Sequence, residues 1–118
     1  MLESKEVAME ATKKSFIHRA TVEKAEYRAC SKSAGMMLMA VLRIHFDGYD
    51  DMAWDYMIIE HDSPIACKIG RRRATELAVA CGLEKRPDDP SVLVGAEVIA
   101  KGVIGDDGMD TIYGYEKA

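Results

Sequence analysis

The sequence has few aromatic residues and few cysteines, and both shortages narrow the class of protein. The 118 residues include only one Trp, two Phe and five Tyr. Large aromatic side chains that recur at every second position of a predicted strand are therefore informative. The three cysteines form no CxxC pair and lie far in sequence from the three histidines. This pattern argues against a zinc site and is typical of buried free thiols in a reducing compartment, so we expect no metal and no cofactor.

Long apolar runs are lacking as well. The longest, residues 36–42, is far too short to span a bilayer, and residues 1–14 lack the apolar core of a signal peptide. We therefore expect a cytoplasmic protein that does not enter a membrane. Its length predicts one domain. Residues 1–15 are predicted to be a polar segment, either a short helix or a frayed terminus, and residues 16–118 to form the domain itself.

The sequence also lacks a surplus of positive charge. It contains 16 Lys and Arg and 20 Asp and Glu, which gives a net charge of −4. Nucleic-acid-binding domains are usually basic, but a polyanion responds to the local field of a groove rather than to net charge. Catalytic motifs such as GxSxG, the P-loop and HExxH are absent, which predicts a non-catalytic protein. The acidic pairs at 88–89 and 106–107 lack EF-hand spacing and are predicted to be turn residues.

The first half of the chain carries β-strand patterns. Residues 16–29 mix β-branched and aromatic residues, and the small polar stretch 30–35 predicts a hairpin connection. Residues 36–46 and 52–59 follow as strands in which the two faces differ in polarity, with a turn at 47–51.

One helix interrupts the strands. Residues 65–81 place apolar residues at helical spacing, with Ser63 as the N-cap, Pro64 at the first position and Gly82 as the stop. The sequence at 85–90 contains two prolines and two acids and predicts a loop.

The last part of the chain is again rich in strand formers. Residues 92–104 predict a strand region bent at Gly95 and Gly102, residues 105–108 a tight hairpin turn, and residues 111–115 the last strand. The resulting order, β-β-β-α-β-β, predicts a mainly β fold: a five-stranded OB-like barrel with one helix after the third strand. Such barrels often bind oligonucleotides or oligosaccharides across strands two and three.

Several of these segments together resemble the small single-stranded DNA-binding proteins of bacteriophages. The similar segments, which span residues 17–116, are the turn SKSAG at 31–35, the aromatic strand WDY at 54–56, the helix RATELAVACGL at 73–83 and the strand start LVGAEV at 93–98. The resemblance implies sequence-tolerant binding of single-stranded DNA. The chain departs from that family in its polar N-terminal segment and in ending without an acidic tail, the element by which many such proteins recruit partners.

Binding of a single strand requires cations for the phosphates and flat rings for the bases. A first candidate set combines the turn residue Lys32 with Arg43 and His45 on the polar face of the second strand and with Trp54 and Tyr56 on the third. If this face is open, the set forms a basic aromatic platform. If it is closed, Trp54 belongs to the core.

Two further candidate sets lie elsewhere. Lys68, Arg71 and Arg72 share one helix face at positions i, i+3 and i+4, either as a phosphate- or partner-binding patch or as an ordinary solvated face. Tyr113 and Tyr115 are predicted to share one face of the last strand, where they either stack a base or pack the mouth of the barrel.

Two functions are compatible with these features. The first is sequence-tolerant binding of single-stranded DNA in phage replication or recombination, in the host cytoplasm. The alternative is a protein-interaction or inhibitor domain of a mobile element, for example one that blocks a host or defence nuclease, and the acidic balance suits this second function. The expected partners are single-stranded DNA and a replication, recombination or nuclease protein, and a homodimer through strand edges suits the fold.

Overall fold

The computed structural model describes residues 14–30 and 35–118. Within them lie strands β1 (Lys14–Ala29), β2 (Met36–Phe46), β3 (Tyr49–Glu60), β4 (Glu97–Ile104) and β5 (Asp110–Lys117), and helix α1 (Pro64–Ala80) between β3 and β4. The predicted order of strands and helix is confirmed. The predicted polar segment overlaps β1 by its last two residues, and its remainder, 1–13, lies outside the described residues.

The strands form one antiparallel sheet in the order β3-β2-β1-β4-β5. Strand β1 is long enough to pair with two neighbours at once, and Thr21 lies opposite both Arg43 of β2 and Glu97 of β4. A register shift after Val22 bends this strand, as a bulge does in tightly curved sheets. The sheet therefore curls into a half-barrel that brings its two edge strands, β3 and β5, towards each other. This arrangement confirms the OB-like fold.

The core lies inside the curl and comes from alternate residues of each strand, because successive side chains of a strand point to opposite faces. The largest fully buried side chains are Val22, Leu38, Leu42, Ile44, Met57, Ile59, Leu77, Leu93 and Val98. Leu77 belongs to α1, so the helix covers the opening between the two edge strands.

Helix α1 begins and ends where its sequence predicts. The Ser63 hydroxyl accepts a hydrogen bond from the Ala66 amide at 3.3 Å, and Pro64 occupies the first helical position. At the other end Gly82 has a φ of +95°, and its amide donates to the Val79 carbonyl at 3.0 Å. The next amide, of Leu83, donates to Ala78, which completes a Schellman stop.

The prediction for residues 92–104 is wrong in its first part, because β4 begins only at Glu97. Pro90–Leu93 instead forms a 3₁₀ turn, whose N-cap Asp89 accepts a hydrogen bond from the Ser91 amide at 3.0 Å. Gly95 then takes a φ of +89°, which a regular strand does not allow.

Two smaller expectations also change. The turn predicted at 47–51 is shorter, and β3 already begins at Tyr49. Of the three free cysteines only Cys67 is buried, while Cys30 and Cys81 are half-buried. No helix in the described residues combines the length and the hydrophobicity needed to cross a bilayer.

Candidate nucleic-acid interface

Two aromatic rings stand on the outer face of β3. The side chains of Trp54 and Tyr56 are 52% and 50% exposed, whereas Asp55 between them points into the core. The residues directly opposite them on β2 are Val41 and Met39, and both are buried although they lie on the outer face. The structure thus decides the question left open by the sequence: Trp54 is a surface residue. We call Trp54 and Tyr56 the ring platform.

Two of the basic side chains predicted to accompany the ring platform, Arg43 and His45, lie next to carboxylates. A terminal nitrogen of Arg43 lies 3.3 Å from Glu23, and the other lies 4.0 Å from Asp50. The Nδ1 atom of His45 is hydrogen-bonded to an Asp50 carboxylate oxygen at 3.0 Å, and its Nε2 atom is hydrogen-bonded to the Thr21 hydroxyl at 2.8 Å. Both residues are where the sequence predicts them, but their carboxylate neighbours leave little net positive field beside the rings.

The helix cations have a different environment. Lys68, Arg71 and Arg72 are exposed and line a groove of about 900 Å³ between α1 and the end of β5. In the part of the chain that the structure describes, none of the three forms an ion pair. The Nε atom of Arg71 donates to the Ile59 carbonyl at 2.7 Å, which fixes the guanidinium at the end of β3.

The two tyrosines of β5 do not share a face, and the prediction that they do is wrong. Tyr113 is 54% exposed, but Tyr115 is buried. The reason is a bulge: Lys101 pairs with Gly114 while the adjacent Gly102 pairs with Ile112, so Tyr113 is an extra residue that breaks the alternation. Tyr115 therefore packs inside the barrel and cannot present its ring to a ligand.

Tyr115 belongs to a buried polar cluster that the sequence reading did not identify. Its hydroxyl donates to Asp55 at 2.7 Å, and the Nε atom of Arg73 lies 3.1 and 3.0 Å from the two Asp55 oxygens. Burial raises the pKa of Asp55, and the nearby Arg73 and Tyr115 oppose that rise. The signal in the sequence was an acid in the middle of the apolar face formed by Ala53 and Met57.

Beside the ring platform lies an acidic cleft of about 1060 Å³ between β3 and the β4–β5 hairpin. Its carboxylates come from Asp51 and Asp55 of β3 and from three hairpin residues, Asp106, Asp107 and Asp110. The prediction that residues 106–107 belong to a turn is confirmed, because the Gly108 amide closes that turn by donating to the Gly105 carbonyl at 2.9 Å. In the described ranges no three His, Cys, Asp or Glu side chains are grouped as metal ligands would be.

Two further side chains, those of Lys32 and Cys81, concern the predicted site and its reactivity. Lys32, the remaining member of the first candidate set, lies outside the described residues. Burial raises the pKa of the Cys81 thiol to about 11, so this cysteine is protonated and weakly nucleophilic at neutral pH.

Comparison with known proteins identifies no relative. Neither the protein-family models nor the curated proteins nor the solved structures contain a match to this chain. The resemblance to phage single-stranded DNA-binding proteins therefore stays a prediction.

Proposed function

We propose that this protein binds single-stranded DNA with little sequence preference and that the bases stack on Trp54 and Tyr56. The observation that carries the proposal is the pair of half-exposed rings on neighbouring outward positions of β3. Water contact with two adjacent large rings is unfavourable, so such a patch typically marks a binding surface. Base–aromatic stacking contributes about 1–3 kcal/mol per base and tolerates any sequence, because every base has a flat face.

The position of the rings within the fold supports the same function. Oligonucleotides commonly lie across the second and third strands of OB-like barrels, and Trp54 and Tyr56 belong to the third. In this proposal the protein coats single strands during phage replication or recombination in the host cytoplasm, where a replication or recombination protein is a further partner.

The single Trp of the chain permits a direct test. Oligo-dT is titrated against the protein while the fluorescence of Trp54 is followed, at about 50 mM and about 200 mM NaCl. We expect quenching that saturates, and a weaker affinity at the higher salt concentration because phosphate contacts release counterions. Absence of quenching and of any mobility shift at low salt would contradict the proposal.

Substitutions identify the surface that binds. Trp54→Ala and Tyr56→Ala should each weaken oligo-dT binding by about 1–3 kcal/mol, measured by fluorescence anisotropy of labelled DNA. Tyr49→Ala is the matched control: Tyr49 is an exposed ring of the same strand, but it is already stacked on Phe46 with 5.2 Å between centroids. Equal losses in the control and in the platform variants would remove the special role of the platform.

The acidic cleft favours a second candidate, an inhibitor domain that occupies the nucleic-acid channel of a nuclease. Its carboxylates Asp106 and Asp107 are exposed next to the rings, so together they present negative charge and flat surfaces as a nucleic acid does. A stoichiometric complex with a nuclease that is weakened by Asp106→Asn and Asp107→Asn, together with no affinity for oligo-dT, would favour this function over the first.

A further inference from the structure

The groove beside α1, which we call the helix groove, brings several cations together. Its positively charged lining consists of Lys68, Arg71, Arg72 and Lys117, and His61 lies at the same site. Two acids also line it: the Glu76 carboxylate accepts a hydrogen bond from the Tyr115 amide at 3.4 Å, and Glu116 lies 3.1 Å from Lys101, so the cations outnumber the acids. The helix groove therefore has cations available to a ligand.

The cations on the outer face of β1 and β2 are not available in the same way. On the outer face, Arg43 pairs with Glu23 and Asp50, and Lys24 lies 3.9 Å from Glu26, which also pairs with Arg28. A phosphate that approached either cation would have to displace a carboxylate of the protein. Lys68, Arg71 and Arg72 make no such pair with the residues that the structure describes.

The surface on the hairpin side of the rings repels phosphate. There the acidic cleft presents Asp51, Asp106, Asp107 and Asp110, and Arg73, the cation of its lining, is occupied by Asp55. A nucleic acid whose bases stack on the ring platform is therefore driven away from the hairpin by like charge.

The helix groove is adjacent to the ring platform. Gly70 packs directly on the backbone of Ile58, so α1 runs alongside β3. The groove cation Arg71 donates to the carbonyl of Ile59, which lies three residues along β3 from Tyr56, at 2.7 Å. Arg71 is held through its Nε atom, and within residues 14–30 and 35–118 its two terminal nitrogens make no hydrogen bond, so they are oriented to receive a phosphate.

Building on the function proposed above, we infer that the phosphates of the bound strand leave the ring platform towards α1 and are held in the helix groove by Lys68, Arg71 and Arg72. The sheet cations Arg43 and Lys24 take no part, because each is already in an ion pair with a carboxylate of the sheet. The bound strand thus crosses the β3–α1 boundary instead of running across β2.

The salt dependence of binding tests this path. Each phosphate contact to a single strand contributes about −0.7 to the slope of log K against log salt concentration. The double variant Lys68→Gln/Arg72→Gln should therefore reduce the magnitude of the oligo-dT slope by about 1.4. The control Arg43→Gln/Lys24→Gln removes the same charge from the sheet and should leave the slope unchanged. Circular dichroism checks that both variants are folded.

The outcomes separate the two claims. If the control has a reduced salt-dependence slope and the Lys68→Gln/Arg72→Gln variant keeps the wild-type slope, the phosphates do not lie in the helix groove. DNA binding by the ring platform would still stand. If the wild-type protein binds no oligo-dT, the proposed function itself fails. Polyglutamate, used as a second ligand, tests whether the helix groove binds an acidic protein instead. If polyglutamate binding requires Lys68 and Arg72 while the oligo-dT slope of the double variant is unchanged, the inference is overturned as well.

Discussion

The carboxyl groups of Asp51 and Asp110 come together where the edges of β3 and β5 approach each other. Both oxygens of Asp110 are shielded from water and have no hydrogen-bond partner among the described residues. Burial, and then the neighbouring Asp51, raise the pKa of Asp110 to about 6. Such a pair binds a proton more readily in the folded protein than in the unfolded chain.

Stability should therefore depend on pH through Asp110. Because its pKa rises from an ordinary 3.8 to about 6 on folding, its contribution is most favourable below the lower value and is lost as pH rises to the higher one. The variant Asp110→Asn should show a smaller fall of its unfolding midpoint between about pH 4 and about pH 7 than the wild type. Thermal unfolding followed by circular dichroism measures both. Parallel profiles would show that Asp110 is not responsible.

The exposed or buried state of single side chains shows what sequence patterns can and cannot predict. Strand alternation predicted correctly that Trp54 and Tyr56 share a face, but it could not decide whether that face is open, because this depends on which elements pack against it. The same reasoning failed for Tyr115, because one bulged residue of β5 reverses the alternation. The sequence indicated a bend at Gly102 on the neighbouring strand, but which residue of β5 is the extra one depends on how the two strands pair.

The helix illustrates what local chemistry specifies well. Ser63, Pro64 and Gly82 set its ends through contacts within a few residues, so both ends could be predicted from sequence. Gly70 is different, because its reason lies in the tertiary structure: a side chain there would run into the backbone of Ile58. A glycine inside a helix is locally unfavourable by about 1 kcal/mol, and here it permits close docking of α1 on β3.

The variant Gly70→Ala separates these two effects. Local propensity alone would make it more stable, but we expect a net loss of about 1–3 kcal/mol, because the backbone of Ile58 leaves no room for the added methyl group. Urea unfolding measures the change. Thr75→Ala, at an exposed position of the same helix, is the control and should stay within about 0.5 kcal/mol of the wild type. A Gly70→Ala protein more stable than the wild type would refute the docking argument.

Closure of the barrel depends on the buried cluster of Asp55, Arg73 and Tyr115. These residues come from β3, α1 and β5, and their hydrogen bonds join the two edge strands to the helix. No backbone ladder links β3 to β5 among the described residues. The polar cluster therefore connects the two edge strands along the seam of the barrel, the line where β3 and β5 of the described chain meet without a backbone ladder.

Removal of one member should weaken the whole molecule. Asp55→Ala leaves Arg73 without its carboxylate and should cost about 3–5 kcal/mol of unfolding free energy, as removal of one partner of a buried ion pair does. Tyr115→Phe removes only the hydroxyl and should cost about 1.5–3 kcal/mol, which keeps the test valid if the first variant does not fold. The exposed pair of Arg43 is the control, and Arg43→Ala should cost no more than about 1 kcal/mol. Denaturant unfolding that ranked the control with the cluster variants would disprove the role of the seam.

Local patterns sufficed for the order of the strands, the position and ends of the helix and the OB-like class, because hydrophobic period, capping and turn residues act over a few neighbours in the chain. Only the folded molecule decided the rest. The exposure of the rings, the neutralisation of Arg43, the availability of the helix cations and the burial of Tyr115 all depend on residues far apart in sequence. Packing and Coulomb energies are set by distances in space, and those distances exist only once the sheet has curled and the helix has docked.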